Sequence, residues 1–437
     1  MKKKISIIAC LTAAVLALAS CGGDQTANNG GNNDGSKQTT LRIAWWGGQP
    51  RNEGTISVID MYKAKNSDIN VETEYSAWDG YWDKMATQMA AKNLPDIMQQ
   101  DYAYLGQWIE KNQLSDLTEF VDAKTIDLSN IGENFIGGNI NGGIYGISLG
   151  TNALAMVYNA DCYKAAGIPE PTPEYTWSQF MSDAEKIKAA GFDTELIIRN
   201  DPKFAVEQMV REQGKTFYNA DGTALGFDDP KMVEDALTIQ SDLIKKNLSV
   251  DKDISYSVQN VEESLLLSKK VWNEITWSNL FVPVNDLANE QGFGFSLAIP
   301  PRVDGAAESG VYLKPSMLFS VTASSQNKEE SAKFINYFIN DIEANKVLSG
   351  ERGVPVSSAV RDALRADLTD SNKKVYDYID LVGEHGTQID PPEPEGSKEI
   401  SATLKTIFQE IVYGTKTPKD GAAEFMQKAN EILAENK

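Results

Sequence analysis

From Leu41 onward the hydrophobic positions change their period in a regular order. Leu41-Arg42-Ile43-Ala44 forms a short strand pattern, and residues 51–66 then carry Ile56, Ile59 and Tyr62 at helical spacing. Ile69, Val71, Thr73 and Tyr75 alternate with polar residues, which predicts a second strand. Residues 79–92 return to the helical period with Tyr81, Met85 and Met89 in line. Pro95-Asp96-Ile97-Met98 reads as a buried strand, followed by a helix to Lys111. A β-α-β-α-β series of this kind predicts a parallel sheet with right-handed crossovers. Ligands on such sheets bind beyond the carboxyl ends of the strands, which nominates Trp45, Trp46, Trp78, Asp79, Gln100 and Asp101.

Further along, glycine-rich residues 132–150 lead into the extended segment 144–149, and 153–158 reads as another strand. That pair predicts a crossing between two lobes. A proline-rich stretch, 168–177, precedes a helix that Thr176 or Ser178 could cap. Helices are expected over 201–214, 230–247, 258–269 and 278–287. Extended segments at 293–299 and 311–322 flank a loop at 300–310. Helices fill the C-terminal region, where Leu404, Ile407, Phe408, Ile411 and Val412 form one apolar stripe. Residues 390–397, DPPEPEGS, read as a rigid loop.

The N-terminus has a different pattern. Lys2, Lys3 and Lys4 precede an apolar run from Ile5 to Ala19, too short to span a bilayer but suited to a secretory signal. Leu18-Ala19-Ser20-Cys21 resembles the bacterial lipoprotein lipobox, in which the cysteine becomes the lipidated N-terminus. A plain signal peptide with a chance cysteine is the alternative. Residues 22–40 hold no aromatic or branched aliphatic side chain, so residues 21–40 are expected to be a lipidated Cys21 followed by a flexible tether. The body would then work just outside a membrane, held there by lipid alone.

Composition narrows the chemistry. With 437 residues the chain is long enough for two or three domains. Its 62 acidic against 41 basic residues give a formal charge of −21, which disfavours nucleic acid and anionic lipid as partners. A single histidine, His385, removes most imidazole catalysis and any His-rich metal site. Three cysteines, Cys10, Cys21 and Cys162, cannot build a disulfide framework or a zinc cluster. Cys162 is expected to be a small buried hydrophobe. No Walker-type loop or dinucleotide fingerprint is present, since Gly137-Gly138 and Gly142-Gly143 lack the spacing. No cofactor, metal or catalytic residue is expected, although carboxylate pairs for glycoside hydrolysis cannot be judged by counting.

The informative signal is aromatic. All eight tryptophans lie between residues 45 and 277. Trp46, Trp78 and Trp277 stand beside Gly and polar residues at expected strand ends. An indole face with a polar rim suits the C–H face and hydroxyls of a sugar ring. Core packing is the competing role, and it is the expectation for Trp45, Trp82 and Trp108.

Several segments resemble one family. They are the lipobox, IAWWGG followed by Arg51, INVETEYSAWDGYWDKMATQMAAKNLPDIMQQD (69–101) and GGIYGISLGTNALAMVYNADCYKAAGI (142–168). PEYTWSQF (173–180), WNEITWSNL (272–280), YLKPSMLFSVTASSQNKEESAKFINYFIND (312–341) and ERGVPVS (351–357) follow. Together they resemble the bacterial extracellular solute-binding proteins, family 1, of carbohydrate ABC transporters. PSMLFSV, RGVP and the acidic-proline loop are most similar to the branch that takes up plant-polysaccharide or pectin oligosaccharides.

The resemblance implies an α/β, two-lobed periplasmic-binding-protein-like fold of type II. Each lobe would be a mixed, mostly parallel sheet flanked by helices, and hinge segments would join the two. It implies a signal peptide at 1–20, a first lobe of 41–149 with 298–340, and a second of 150–297 with 341–437. Carried onto this chain, the cleft residues are Trp46, Arg51, Asp79, Asp101, Asn152, Trp277, Asn279, Lys314 and Arg352. Trp46 and Trp277 would stack on sugar faces, Asp79 and Asp101 would accept hydroxyl hydrogen bonds, and the three cations would donate. Arg352 could instead only fix the loop before Pro355, Lys314 could be solvated, and Asn152 could be a hinge residue. The implied partners are an oligosaccharide and a pair of permease subunits, with a monomeric binding protein. A secreted lyase or glycoside hydrolase is the principal rival, and a binder of peptides or another solute is the second.

Overall fold

The structure, a computed structural model, describes residues 38–196, 201–258 and 261–435. The signal segment, Cys21 and the tether as far as Lys37 lie outside the described residues, as does the side chain of Asp79.

The predicted β-α-β-α-β series opens the fold. Strand β1 (Thr39–Trp46), β2 (Ile69–Ser76) and β3 (Ile97–Gln100) alternate with helices Gln49–Lys65 and Trp78–Ala90. β1 pairs in parallel with β2 on one side and β3 on the other. After a short hairpin, β4 (Asn139–Ile140) and β5 (Gly143–Ile144), come β6 (Ile147–Asn152) and β7 (Leu154–Tyr158). β8 (Asn273–Trp277), β9 (Ser296–Ala298) and β10 (Lys314–Val321) complete the strands. The first sheet has the order β2-β1-β3-β10-β6, and β10 runs against both its neighbours. The sheet is therefore mixed, with four strands in one direction and one returning.

The second sheet is smaller, in the order β8-β7-β9, and its three strands are antiparallel. Among the described residues, parallel pairing near its margin takes the form of single bridges, including Asp193 to Val271, Thr194 to Ser249 and Thr176 to Arg302. Helices surround both sheets. The stripe at 404–412 is buried on helix Ser397–Val412, together with Ile400. Thr176 rather than Ser178 caps helix Trp177–Ala189, through a reciprocal box with Gln179. Ser178 donates instead to Asp304 at 2.5 Å.

One expected helix does not form among the described residues. Of the span 258–269, residues 259 and 260 lie outside the described residues, and the rest give tight turns at Val261–Glu263 and Leu265–Ser268. Only Leu266 of the three leucines is fully buried, Ser268 Oγ donates back to the Leu265 carbonyl at 2.5 Å, and Lys269 turns into the left-handed region at φ 60°. Local side-chain bonding of this kind competes with helix propagation.

Apolar burial falls into two clusters. One surrounds the five-stranded sheet, with Ile43, Ile97, Phe319, Phe334 and Phe338, and it also takes Leu348, Val360 and Ile379 from helices 342–348, 358–364 and 370–385. The other holds Tyr158, Phe180, Trp272, Leu237, Leu404 and Phe425. Full burial of each such side chain is worth about 1.5–3 kcal/mol. Cys162 belongs to the second cluster, and burial pushes its thiol up to about 12, so it is packing and not a nucleophile.

A single residue separates the sheets at one crossing. β6 ends at Asn152, Ala153 intervenes, and β7 starts at Leu154. Ser278, just after β8, holds the crossing: its N–H donates to the Ala153 carbonyl at 2.9 Å, and the Ala153 N–H donates to its Oγ at 3.1 Å.

Candidate functional site

A cavity of about 550 Å³ opens where the chain crosses between the sheets. Each wall is placed by a strand end. Asp101 follows β3, Asn152 closes β6, Trp277 closes β8, Asn279 sits in the turn beyond it, and Lys314 begins β10. Lys314 and Asn152 are register partners, so the two side chains start from neighbouring backbone positions.

The turn 349–353 forms another wall. Ser349, Gly350 and Gly353 have φ of 51°, 70° and 93°, which lets the turn fold tightly against β6. Thr151 and Val354 exchange backbone hydrogen bonds at 2.9 and 3.2 Å. At Gly150 a Cβ would stand 2.0 Å from the Arg352 carbonyl oxygen, so only glycine allows this approach.

Seven of the nine residues expected at the cleft line this one cavity: Arg51, Asp101, Asn152, Trp277, Asn279, Lys314 and Arg352. Arg51 leaves the first turn of helix 49–65, and its Nε donates to both Glu351 oxygens at 2.8 and 3.1 Å. Asp101 caps helix Tyr102–Glu110, accepting from the Ala103 N–H at 2.9 Å. Trp277 is half-buried, with the Phe204 ring edge-on at 5.0 Å and Lys314 Nζ 5.0 Å from its ring centre. Arg352 is 3% exposed, and its Nη2 donates to Thr55 Oγ1 at 2.8 Å and Gln99 Oε1 at 3.4 Å. Burial and the nearby Arg51 guanidinium push its pKa down to about 9, so it stays charged at neutral pH.

Trp46 is the exception and corrects the expectation of an open platform at that position. It is 7% exposed, does not line the cavity, and packs among Trp78, Tyr81 and Trp82 with ring centres 5.0–5.6 Å apart. Its carbonyl is what reaches the site, accepting from Arg51 Nη1 at 3.3 Å and Gln99 Nε2 at 3.1 Å. The exposed member of that aromatic group is Trp78, at 39%. The cause is position: Trp46 is the last residue of a central strand, covered by the helix that follows β2.

The cavity also has walls that the sequence did not nominate: Ser316, Glu351, Asn372 and Tyr376. Glu351 adjoins Arg352 in the quoted ERGVPVS, and Ser316 lies in YLKPS, so both stood in flagged segments. Asn372 and Tyr376 share a helix face at four-residue spacing, a pattern that any packed helix shows.

The chemistry assembled is that of a holder: one half-buried indole, amide and hydroxyl groups around it, and a few charges. Two sheets with a polar cavity at their crossing define a two-lobed binding protein. Residues 48–344 match the bacterial extracellular solute-binding protein family, and the chain belongs to it.

Similar solved structures agree with that assignment. A family 1 extracellular solute-binding protein from Alicyclobacillus acidocaldarius is 30% identical, with a TM-score of 0.81 over 91% of this chain and 98% of that one. A periplasmic oligogalacturonide-binding protein from Yersinia enterocolitica is 21% identical, with a TM-score of 0.77 over 91% of this chain and 100% of that one, a likeness of fold. By sequence, the diacetylchitobiose-binding protein of Streptomyces coelicolor is 21% identical across 100% of both chains. The protein is thus a solute-binding protein of the ABC-transporter class, and family membership puts its work outside the cytoplasm. Among the described residues, no helix is long and apolar enough to cross a membrane.

Proposed function

We propose that this protein captures an oligosaccharide at the crossing between its sheets and delivers it to the permease pair of an ABC transporter. Removal of residues 1–20 and lipidation of Cys21 would tether it to the cell membrane. The lobes in this reading are 41–149 with 298–340, and 150–297 with 341–437, and the protein acts as a monomer without catalysis. The observation that carries the reading is the half-buried Trp277 set in a cavity otherwise rimmed by amides, hydroxyls and charges. Trp277 takes a pyranose face, and Asp101, Asn152 and Asn279 meet hydroxyls, with Asp79 expected at the same rim. Two relatives bear saccharide names, diacetylchitobiose and oligogalacturonide, which supports a sugar without choosing one.

The same geometry supports the transport part of this reading. A sugar touching both sides of the crossing favours the closed arrangement, because only that arrangement supplies every contact. Going from 1:99 to 99:1 closed requires about 5.5 kcal/mol of differential affinity. A glycan array followed by tryptophan fluorescence titration tests the proposal. Saturable binding with the sugar recovered intact supports it. Cleavage of the sugar by dilute protein points to the degrading enzyme instead, and binding of peptides alone removes the saccharide.

A further inference from the structure

The charges around the cavity do not balance. Arg51, Lys314 and Arg352 line it with Asp101 and Glu351. Glu351 is bonded to Arg51, and Asp101 is engaged at a helix N-terminus. Arg352 donates only to neutral side-chain oxygens, on Thr55 and Gln99, and its Nε and Nη1 are buried without a hydrogen-bond partner. Among the described residues, no carboxylate lies within ion-pair distance of Arg352 or Lys314. Glu393 feels the Lys314 charge but is itself bonded to Lys203. The Lys314 ammonium rests over the Trp277 ring. In a chain with 62 acidic residues, two cations left unanswered at one cavity are not explained by a shortage of partners.

Of the two, Arg352 is buried and Lys314 is exposed. A buried cation without a counterion is costly, an anion entering the cavity near Arg352 recovers part of that cost, and Lys314 is the cation such an anion can reach. Resting on the saccharide reading above, we propose that the solute is an acidic, uronate-bearing oligosaccharide and that Lys314 determines this specificity. The sugar ring lies against Trp277, where Lys314 already stands, and the ring carboxylate pairs with the ammonium in a charge-assisted hydrogen bond. Arg352 lines the cavity, but its unpartnered nitrogens are shut off from solvent, so its guanidinium acts through its field and not by direct contact.

Titration calorimetry on the full chain tests this with galacturonate, glucuronate and mannuronate oligomers, each beside the neutral oligomer of the same linkage and length. The expected result is at least one acidic oligomer bound about tenfold more tightly than its neutral counterpart, a preference that shrinks as salt rises. Lys314→Gln is expected to cut that preference about fivefold, and Lys314→Arg to keep most of it. Neutral oligomers binding as well as acidic ones would overturn the inference while leaving the saccharide reading intact. So would a preference that survives Lys314→Gln undiminished. Binding of neither series overturns both.

Discussion

Two sets of cations lie close to the crossing, and the chain treats them differently. On helix Lys203–Arg211, Lys203 and Arg211 are 2% and 4% exposed, and both are answered from within. Lys203 pairs with Glu393, and Arg211 pairs with Asp390. Arg211 also donates to the Gly310 carbonyl at 3.1 Å, Thr387 Oγ1 at 2.7 Å and the Gln388 carbonyl at 2.6 Å. Two acids of the acidic-proline loop 390–397, Asp390 and Glu393, are fastened to these two buried cations, and Tyr102 of the opposite core donates to the Asp390 carbonyl at 2.5 Å. At the cavity, Lys314 and Arg352 have no such partners. Charge neutralised by its own chain serves as scaffold. In the reading proposed above, charge left unneutralised beside a cavity is a place kept for a solute.

Breaking the scaffold set produces the largest expected effect. Arg211→Ala leaves the half-buried Asp390 carboxylate without its cation and with only the Phe217 N–H donating to it, so urea unfolding is expected to show a loss of about 3 kcal/mol. A loss below about 1 kcal/mol would mean the two sets do not differ as described.

Next comes Glu212, at the end of the same helix and fully buried. It accepts from the Val303 N–H at 2.8 Å and from Gln208 Nε2 at 3.1 Å, and among the described residues it has no ion-pair partner. Burial pushes its carboxyl from 4.5 up to about 7. The folded state therefore holds this proton more tightly than the unfolded chain does. The resulting stability is complete below about pH 4.5 and is lost as pH rises towards 7, by up to about 3 kcal/mol. Glu212→Gln is expected to flatten that segment of the stability–pH curve. An unchanged slope would show that the carboxyl titrates normally.

On the cavity side, Trp277→Ala is expected to weaken saccharide binding at least about tenfold, or about 1.4 kcal/mol, while the fold persists. Equal affinity in the variant would remove the indole from the site. The smallest effect belongs to charge in open water. Lys333, paired with Glu330 at 2.6 Å on an exposed helix face, should lose less than about 1 kcal/mol of stability on substitution by alanine. A larger loss would blur the distinction between buried and exposed pairs.

The alternation of strand and helix periods from 41 to 111 was enough to specify the parallel start of the first sheet, because those elements pair with near neighbours in the chain. The stripe on helix 397–412 and the crossing near residue 153 were equally legible, since each is a local pattern. Seven cavity residues could be named because strand ends on such sheets meet at one edge, and because the quoted segments resembled a family. What the pattern could not supply was orientation and company. Trp46 and Trp277 both read as indoles beside polar residues at strand ends. Only the packing of Trp78, Tyr81 and Trp82 around the first, and of Phe204 and Lys314 around the second, separates a core ring from an accessible one. Likewise, a lysine in sequence carries no sign of whether a carboxylate will stand next to it. Glu393 lies 190 residues from Lys203. Periodicity is a property of neighbours along the chain and is settled by the sequence itself. Neutralisation of charge and exposure of a ring depend on contacts between distant segments, and only the tertiary structure decides them.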